Sequence, residues 1–446
     1  MASPERGGSA AAQAVERGIT REAVDGLTAL LAESELDRRA RLKAFAIFER
    51  LPSPPSRLSR AAKRNLAAVD LARAIPYLDL AQDGEPATVG AHGEEPAESA
   101  SLVVLVDGRA VTVRLAPEIA ASGAYVAPFE TALRERPELV RAHSGRLVPD
   151  DSDRFTALNA ALRRGGLVVH VPAGVTLNEP IELRTVIERA SVFPRVLVVA
   201  EDGASVQVIE RIESRPLQGD AVPARLVCSV GEIVVGRGAS VRYAALQHLD
   251  EDVAEVSVRR ASVGRDATMV LAPVVLGGGI VREDADVVLE GEGSSTRVRG
   301  CFFASGEQAF DLAGRVTHAA PHTSADAVFH GAASGAGQAS LSGMISIREC
   351  AAGSESSLKN RALLLSPKAH IDSVPGLEIA NNDVKAYHGA TIGEIDEETL
   401  FYCQSRGIPR DAARRMIILG FLSPVVDAIA SPGARAWLER CIEAKL

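Results

Sequence analysis

Aromatic residues are scarce in this chain, making up 4% of its 446 residues, with a single tryptophan. A core poor in large rings must be filled by Val, Leu, Ile and Ala, which suits stacked short strands rather than a wide aromatic-lined pocket. The five cysteines are scattered (Cys228, Cys301, Cys350, Cys403, Cys441), with no CxxC and no Cys/His set at structural-zinc spacing. That excludes a disulfide framework and a zinc ribbon, and a resident four-cysteine cluster would have to be gathered from distant loops. No run of about 18 apolar residues occurs, and the N-terminal string MASPERGGSAAAQAVERG has no apolar stretch of a secretion signal. The expectation is a soluble, cytoplasmic protein without a membrane segment. Positive charge is lacking too. The net charge of −9 argues against nonspecific binding to nucleic-acid backbones. Gly277, Gly278 and Gly279 are not followed by the Lys-Ser/Thr of a phosphate loop, so nucleotide binding is not expected of this chain. Ser366, His370 and Asp372 sit in no GxSxG elbow, which removes hydrolase chemistry.

Several kinds of periodicity are present. Residues 1 to about 12 are small and polar and read as a frayed end. Arg21 to Arg50 is helical in pattern, with Val24, Leu27, Leu30, Leu31, Leu42, Phe45, Ala46 and Phe48 on apolar faces. The prolines of Leu51 to Arg57 break it, and a second helical stretch spans Arg60 to Ile75. Asp83 to Ala100 is acidic and aperiodic, as a linker would be. Ser101 to Leu115 reads as a hairpin about Asp107-Gly108, and Phe155 to Arg164 as a short helix capped by Asp153.

From Leu167 to about Gly393, short runs of β-branched residues alternate with Gly/Ala/Ser turns. A turn motif begins at Gly203, Gly236, Gly264 and Gly291, the last three copies roughly 28 residues apart. One such coil cannot bury its own apolar face, but a stack of them buries a continuous ladder. The pattern predicts a right-handed parallel β-helix, with a β-sandwich as the other arrangement of many short strands. At Asp396 the period becomes helical: a capped helix to Ser405, a stop at Gly407, and a helix from Pro409 that buries Ala413, Met416, Ile417, Gly420 and Phe421. A last helix covers Ala434 to Glu443. The expected divisions are therefore 1–82 helical, 83–100 linker, 101–164 mixed α/β, 165–395 parallel β-helix and 396–446 helical.

Candidate site residues are few. His388, in AYHGAT, follows a β segment and precedes a glycine that leaves room for a ligand. Imidazole binds iron and titrates near neutral pH, so a metal can be taken and released; the competing reading is a histidine hydrogen-bonded in a corner. His318, His322 and His330 fall within thirteen residues, but with Pro321 between them they read as polar strand and corner residues on a solenoid surface. His370 and Asp372 would share a face of a strand, as a supporting pair for a ligand or a structural hydrogen bond. Cys403 and Cys350 read as buried.

The elements LLLSPKAHIDSVPGLEI, NNDVKAYHGATIGEIDEE and LFYCQSRGI, and more weakly ALNAALRRGGLVVHVPAGVTLNEPI from Ala157, carry a resemblance. The chain resembles the SufD branch of the SufB/SufD family, subunits of the SUF iron–sulfur cluster assembly complex. The likeness covers about two thirds of the sequence and is weakest in the N-terminal helices. It implies a β-helix core and a non-enzymatic role. Pairing with SufB near the C-terminal end of the β-helices and a SufC ATPase docked on the terminal helices are implied too; a homodimer of the isolated chain is left open. It further implies that the histidine of the HGAT segment, His388, is a transient ligand of iron or a nascent cluster, with no cofactor stably bound. SufB-like chains carry an essential cysteine before their LLIG segment and read EHEAT; here the equivalent stretches are NRALLLS, with Asn360, and YHGAT. Two other functions compete. A SufB-like scaffold would need that cysteine, and a polysaccharide-active β-helix would need export and recurring paired carboxylates.

Overall fold

The computed structural model describes residues 18–58, 66, 69–76, 100–216, 225–429 and 431–446. The N-terminal pattern forms two helices, α1 (Arg21–Leu30) and α2 (Glu35–Arg50), rather than one run. Ala32 turns the chain at φ +50°, and Ser34 starts the second helix by accepting from the Asp37 N–H. Half of the helix expected over Arg60 to Ile75 lies outside the described residues; of its described part, residue 66 and residues 69–75, residues 71–73 form a turn rather than a helix. The acidic linker lies outside them as well, apart from Ala100.

The hairpin is present as β1 (Ser101–Val106) and β2 (Arg109–Arg114), turning at Asp107-Gly108. Short helices α3 (Pro117–Ser122), α4 (Phe129–Glu135) and α5 (Pro137–His143) surround β3 (Tyr125–Pro128). α6 (Arg154–Leu162) follows, with Asp153 accepting from the Phe155 and Thr156 N–H groups as expected.

The rest of the core is a parallel β-solenoid, with eight coils among the described residues. One sheet contains β5 (Ile181–Ile187), β7 (Ser205–Ser214), β9 (Ser240–His248), β11 (Thr268–Val275), β13 (Ser295–Ala304), β15 (Ser324–Ala333), β17 (Ser354–Leu364) and β19 (Val384–Gly393). The facing sheet contains β4 (Gly166–Val171), β6 (Arg195–Ala200), β8 (Arg225–Val235), β10 (Val253–Val263), β12 (Ile280–Leu289), β14 (Ala309–His318), β16 (Gln338–Ile347) and β18 (His370–Ile379). β1 joins the first sheet beside β5, and β3 closes the second beside β4.

The recurring turn motif explains one corner. Gly203, Gly238, Asp266, Gly293, His322 and Gly353 all take positive φ there, a conformation cheap for glycine and tolerated by Asp and His. Each corner is tied to the next by a backbone bond, such as Gly238 N–H to the Arg265 carbonyl at 2.7 Å. Between corners, residues two apart share a face, so inward columns run the length of the stack. One passes through Ile181, Val208, Tyr243, Leu271, Val298, Ala327, Leu358 and His388. Two rings that enter the interior, Phe302 and Phe329, have glycine opposite them. A β-carbon at Gly331 would stand 2.0 Å from the Phe302 ring.

Helices cover parts of both outer faces. α1, α2 and α6 pack on β8 and β10 through Leu27, Phe45, Phe155, Leu158, Cys228 and Val256. At the other end the chain forms α7 (Glu397–Ser405), α8 (Arg410–Val426) and α9 (Pro432–Glu443). The buried face of α8 is Ala413, Ile418, Leu422, Val425 and Val426, not the expected set through Met416 and Phe421. The helix runs five residues past Phe421, and the stripe that meets β13 and β15 is set by those later residues, leaving Met416 exposed. No described helix is long and apolar enough to cross a membrane.

Candidate functional site

Among the described residues, no strand covers the end of the stack. β18 and β19 are the last strands of their sheets, ten residues each, and both edges lack a strand partner among the described residues. Edge strands of that length, left open, are templates for pairing with another chain. Apolar side chains stand in water on this coil: Val374 is 63% exposed and Tyr387 56%, with Ile379 and Ile392 also exposed. Exposed apolar residues gathered on the two edges of one coil are the kind of patch that marks an interaction surface.

His388 lies in the middle of β19, in register with Leu358 of β17. Parallel partners in register face the same way, so His388 belongs to the inward column. Leu358 is buried and His388 is exposed solely because no further coil stacks on it. The histidine therefore sits at the open mouth of the solenoid rather than in a closed corner.

His370 and Asp372 share a face of β18 and form a hydrogen bond, Nε2 to Oδ1 at 3.1 Å. They are outward on the opposite sheet, so the fold does not bring them together with His388. The clustered histidines differ from expectation. His318 is fully buried at an inner corner, its Nδ1 2.8 Å from the Thr323 hydroxyl, and burial drops its imidazole to about 4. His330 is buried too, because α8 covers the outer face of β15. Its Nδ1 meets the Phe421 carbonyl at 2.6 Å and its ring stacks on Phe421. Of the three, His322 alone is an exposed corner residue. The two cysteines read as core are also corrected. Cys350 is exposed in a corner loop, and Cys403 is half-buried because α7 projects from the solenoid with one buried residue, Leu400. Cys228 and Cys301 are buried, and burial pushes the Cys301 thiol up to about 12. Among the described residues, no three His, Cys, Asp or Glu side chains converge to hold a metal.

Beyond the tip, α7 and the start of α8 form a projecting arm. Asp396 caps α7 through the Glu398 and Thr399 N–H groups, and Arg410 ties the two helices through Glu397 at 2.6 Å. Phe401 is 73% exposed and Tyr402 59%, with Met416 nearby in the same condition. Sequence reading missed these residues. The signal was there, since a short helix carrying Leu, Phe and Tyr consecutively cannot turn all three to one core. Further along, α8 and α9 are fixed to the solenoid. Arg414 donates to the Leu365 carbonyl at 2.7 Å, Arg211 stacks over Trp437, and Lys445 donates to the Phe303 carbonyl.

The described residues thus form a parallel solenoid with unpaired strand edges at one end and a helical arm beyond it. Residues 184–421 match the family described as SUF system FeS cluster assembly, SufBD core domain, and residues 92–183 match the SufBD protein N-terminal region. The chain belongs to the SufBD family of the SUF iron–sulfur cluster assembly system. It is 27% identical over 424 residues to an iron-sulfur cluster assembly SufBD family protein of Staphylococcus epidermidis, covering 92% of this chain and 89% of the relative. With the iron-sulfur cluster assembly protein SufB of Bacillus subtilis it shares 25% identity over 424 residues, with the same coverage.

Proposed function

We propose that this chain is the SufD-type, non-enzymatic subunit of a cytoplasmic SUF complex. It pairs with a SufB-type sister through the end coil and carries a SufC-type ATPase on the α7–α8 arm. The observation that carries this reading is the coincidence of an inward-column histidine with an uncapped solenoid end. His388 is presented at the edge where a second chain would pair, and a partner's ligands can complete a site this chain lacks. Iron or a nascent cluster is then cargo, held at the junction and released, with no cofactor resident. Asn360 supports the SufD side, standing where SufB-like chains carry cysteine. A SufB-like scaffold is the second reading, favoured by the name of the Bacillus relative. Reconstitution of a cluster on the isolated chain decides between them: uptake revives the second reading.

Two variants test the proposal. His388→Ala in an intact complex lowers cluster output by about ten-fold or more, since even groups that merely support a metal ligand are worth that much. Unchanged output removes His388 from the function. Phe401→Asp puts a charge where an aromatic anchor would be desolvated, and anchors of this kind are worth about 2 kcal/mol or more. Copurification of the ATPase should fall roughly 30-fold, and undiminished capture would show that the arm is not its seat.

A further inference from the structure

Burial stops one coil below the tip, and two polar side chains are caught on the wrong side of that boundary. The inward row of β17 reads Ser356, Leu358, Asn360 and Ala362, covered in register by Ala386, His388, Ala390 and Ile392 of β19. In the coils beneath, the Asn360 column holds Phe329 and Gly300. Asn360 is 2% exposed. Its Nδ2 crosses the lumen to donate to the Ser373 hydroxyl of β18 at 2.9 Å, so it ties β18 of the end coil to β17. Its Oδ1 has no hydrogen-bond partner among the described residues, and neither does the buried hydroxyl of Ser356.

We infer that Asn360 and Ser356 are positioning residues that keep the His388 coil poised to open. The inference rests on the reading of His388 as the presented ligand. An acceptor sealed without a partner costs its full desolvation, and here the cost is relieved by one movement. When β18 and β19 lift, β17 becomes the end strand and its inward row meets water, as that of β19 does now. The lifted coil is also where opening is cheapest, since each of its strands is held by a ladder on one side alone. Opening brings the Asn360 amide to the surface and frees the backbone groups on the inner edge of β19 for a partner's edge. The tie through Ser373 holds the coil in place at rest; the orphaned oxygens make that rest shallow.

Hydrogen exchange of the full-length protein, followed in peptides over Val384–Gly393 with β12 as the internal reference, tests this. Asn360→Leu keeps the shape and removes both orphaned demand and tie, while half-buried Ser373 turns to water. It is expected to slow exchange in β19 by about ten-fold, the effect of one orphaned group, with β12 and the melting temperature unchanged. Ser356→Ala should slow the same peptides without touching the tie. In the reconstituted complex, Asn360→Leu lowers cluster output although His388 is intact. Exchange in β19 that is unchanged or faster in both variants overturns the inference. His388→Ala separates the two claims: it leaves exchange as in wild type and lowers output. If it lowers output while the exchange effects are absent, His388 stands and the positioning role falls. If the exchange effects appear and output ignores His388, the reading of the histidine falls alone.

Discussion

Glu232→Ala should destabilise the protein by about 3–5 kcal/mol, the cost of removing one partner of a buried ion pair. Glu232 is fully buried on β8 and is shared by two structures. One oxygen accepts from the Leu147 and Val148 N–H groups at 3.0 and 3.1 Å, and both oxygens accept from Gly145. Arg195 of β6, also sealed, donates Nε and Nη2 to the second oxygen at 3.1 and 2.9 Å. Removing the carboxylate therefore leaves three backbone donors unpaired and Arg195 held only by Asp150 at 2.9 Å and the Val148 carbonyl at 3.0 Å. The midpoint of urea unfolding should fall sharply, and protease should cut first within residues 144–152. The double variant Arg195→Met with Glu232→Leu sharpens the test. Replacing a buried ion pair by hydrocarbon is often neutral, but here the three N–H groups stay unsatisfied, so the double variant should recover less than half the loss. Full recovery would mean that the loop does not depend on Glu232.

Why the solenoid was legible and its tip only partly so follows from what each depends on. The corner at Gly203, Gly238, Asp266 and Gly293 is a local demand on φ, and local demands leave a mark in sequence at a fixed spacing. Hairpin, caps and final helix are equally local, and Asp107-Gly108, Asp153 and Asp396 stand where expected. The burial of His318 and His330 was not local. It depends on which corner a coil shares and on α8 returning across β15, contacts 91 residues apart in the case of His330 and Phe421. The shifted face of α8 has the same origin, since its stripe is fixed by residues beyond Phe421 and by the strands it meets. His388 was legible as a residue type in a motif, but its inward register is known only once β19 is paired with β17. Asn360 and Phe401 are informative only in three dimensions, one because it is sealed and the other because it is not.

The middle of the stack contrasts with the tip and yields the second large effect. Around β7 to β12 the interior turns polar. Arg259 donates to Glu210 at 2.9 Å and to Glu283 at 2.7 Å, and Tyr243 donates to Glu210 at 2.7 Å. Glu255 accepts from Gln247 and Ser257 at 2.6 Å each. All are buried, so three carboxylates face one guanidinium in a medium that penalises net charge. A proton must be held there. Burial pushes Glu283 up to about 7 against the pull of Arg259, with neighbouring Glu255 adding to the rise. Burial raises Glu255 as well. A carboxyl raised in the folded state binds a proton that the unfolded chain has released above its ordinary value of 4.5. Its contribution is fully present below that value, declines as pH rises towards 7, and is gone above it. By the energy of a pKa unit this amounts to about 3 kcal/mol. Glu283→Gln carries no such proton. The stability of wild type relative to this variant should fall by that order between pH 4.5 and pH 7 and then stay level. Urea midpoints of the two proteins at intervals across this range measure it directly. Parallel curves would mean that the cluster is ionised throughout, and that solvent reaches the middle coils past Phe302 and Phe310, which are fully buried in the same interior.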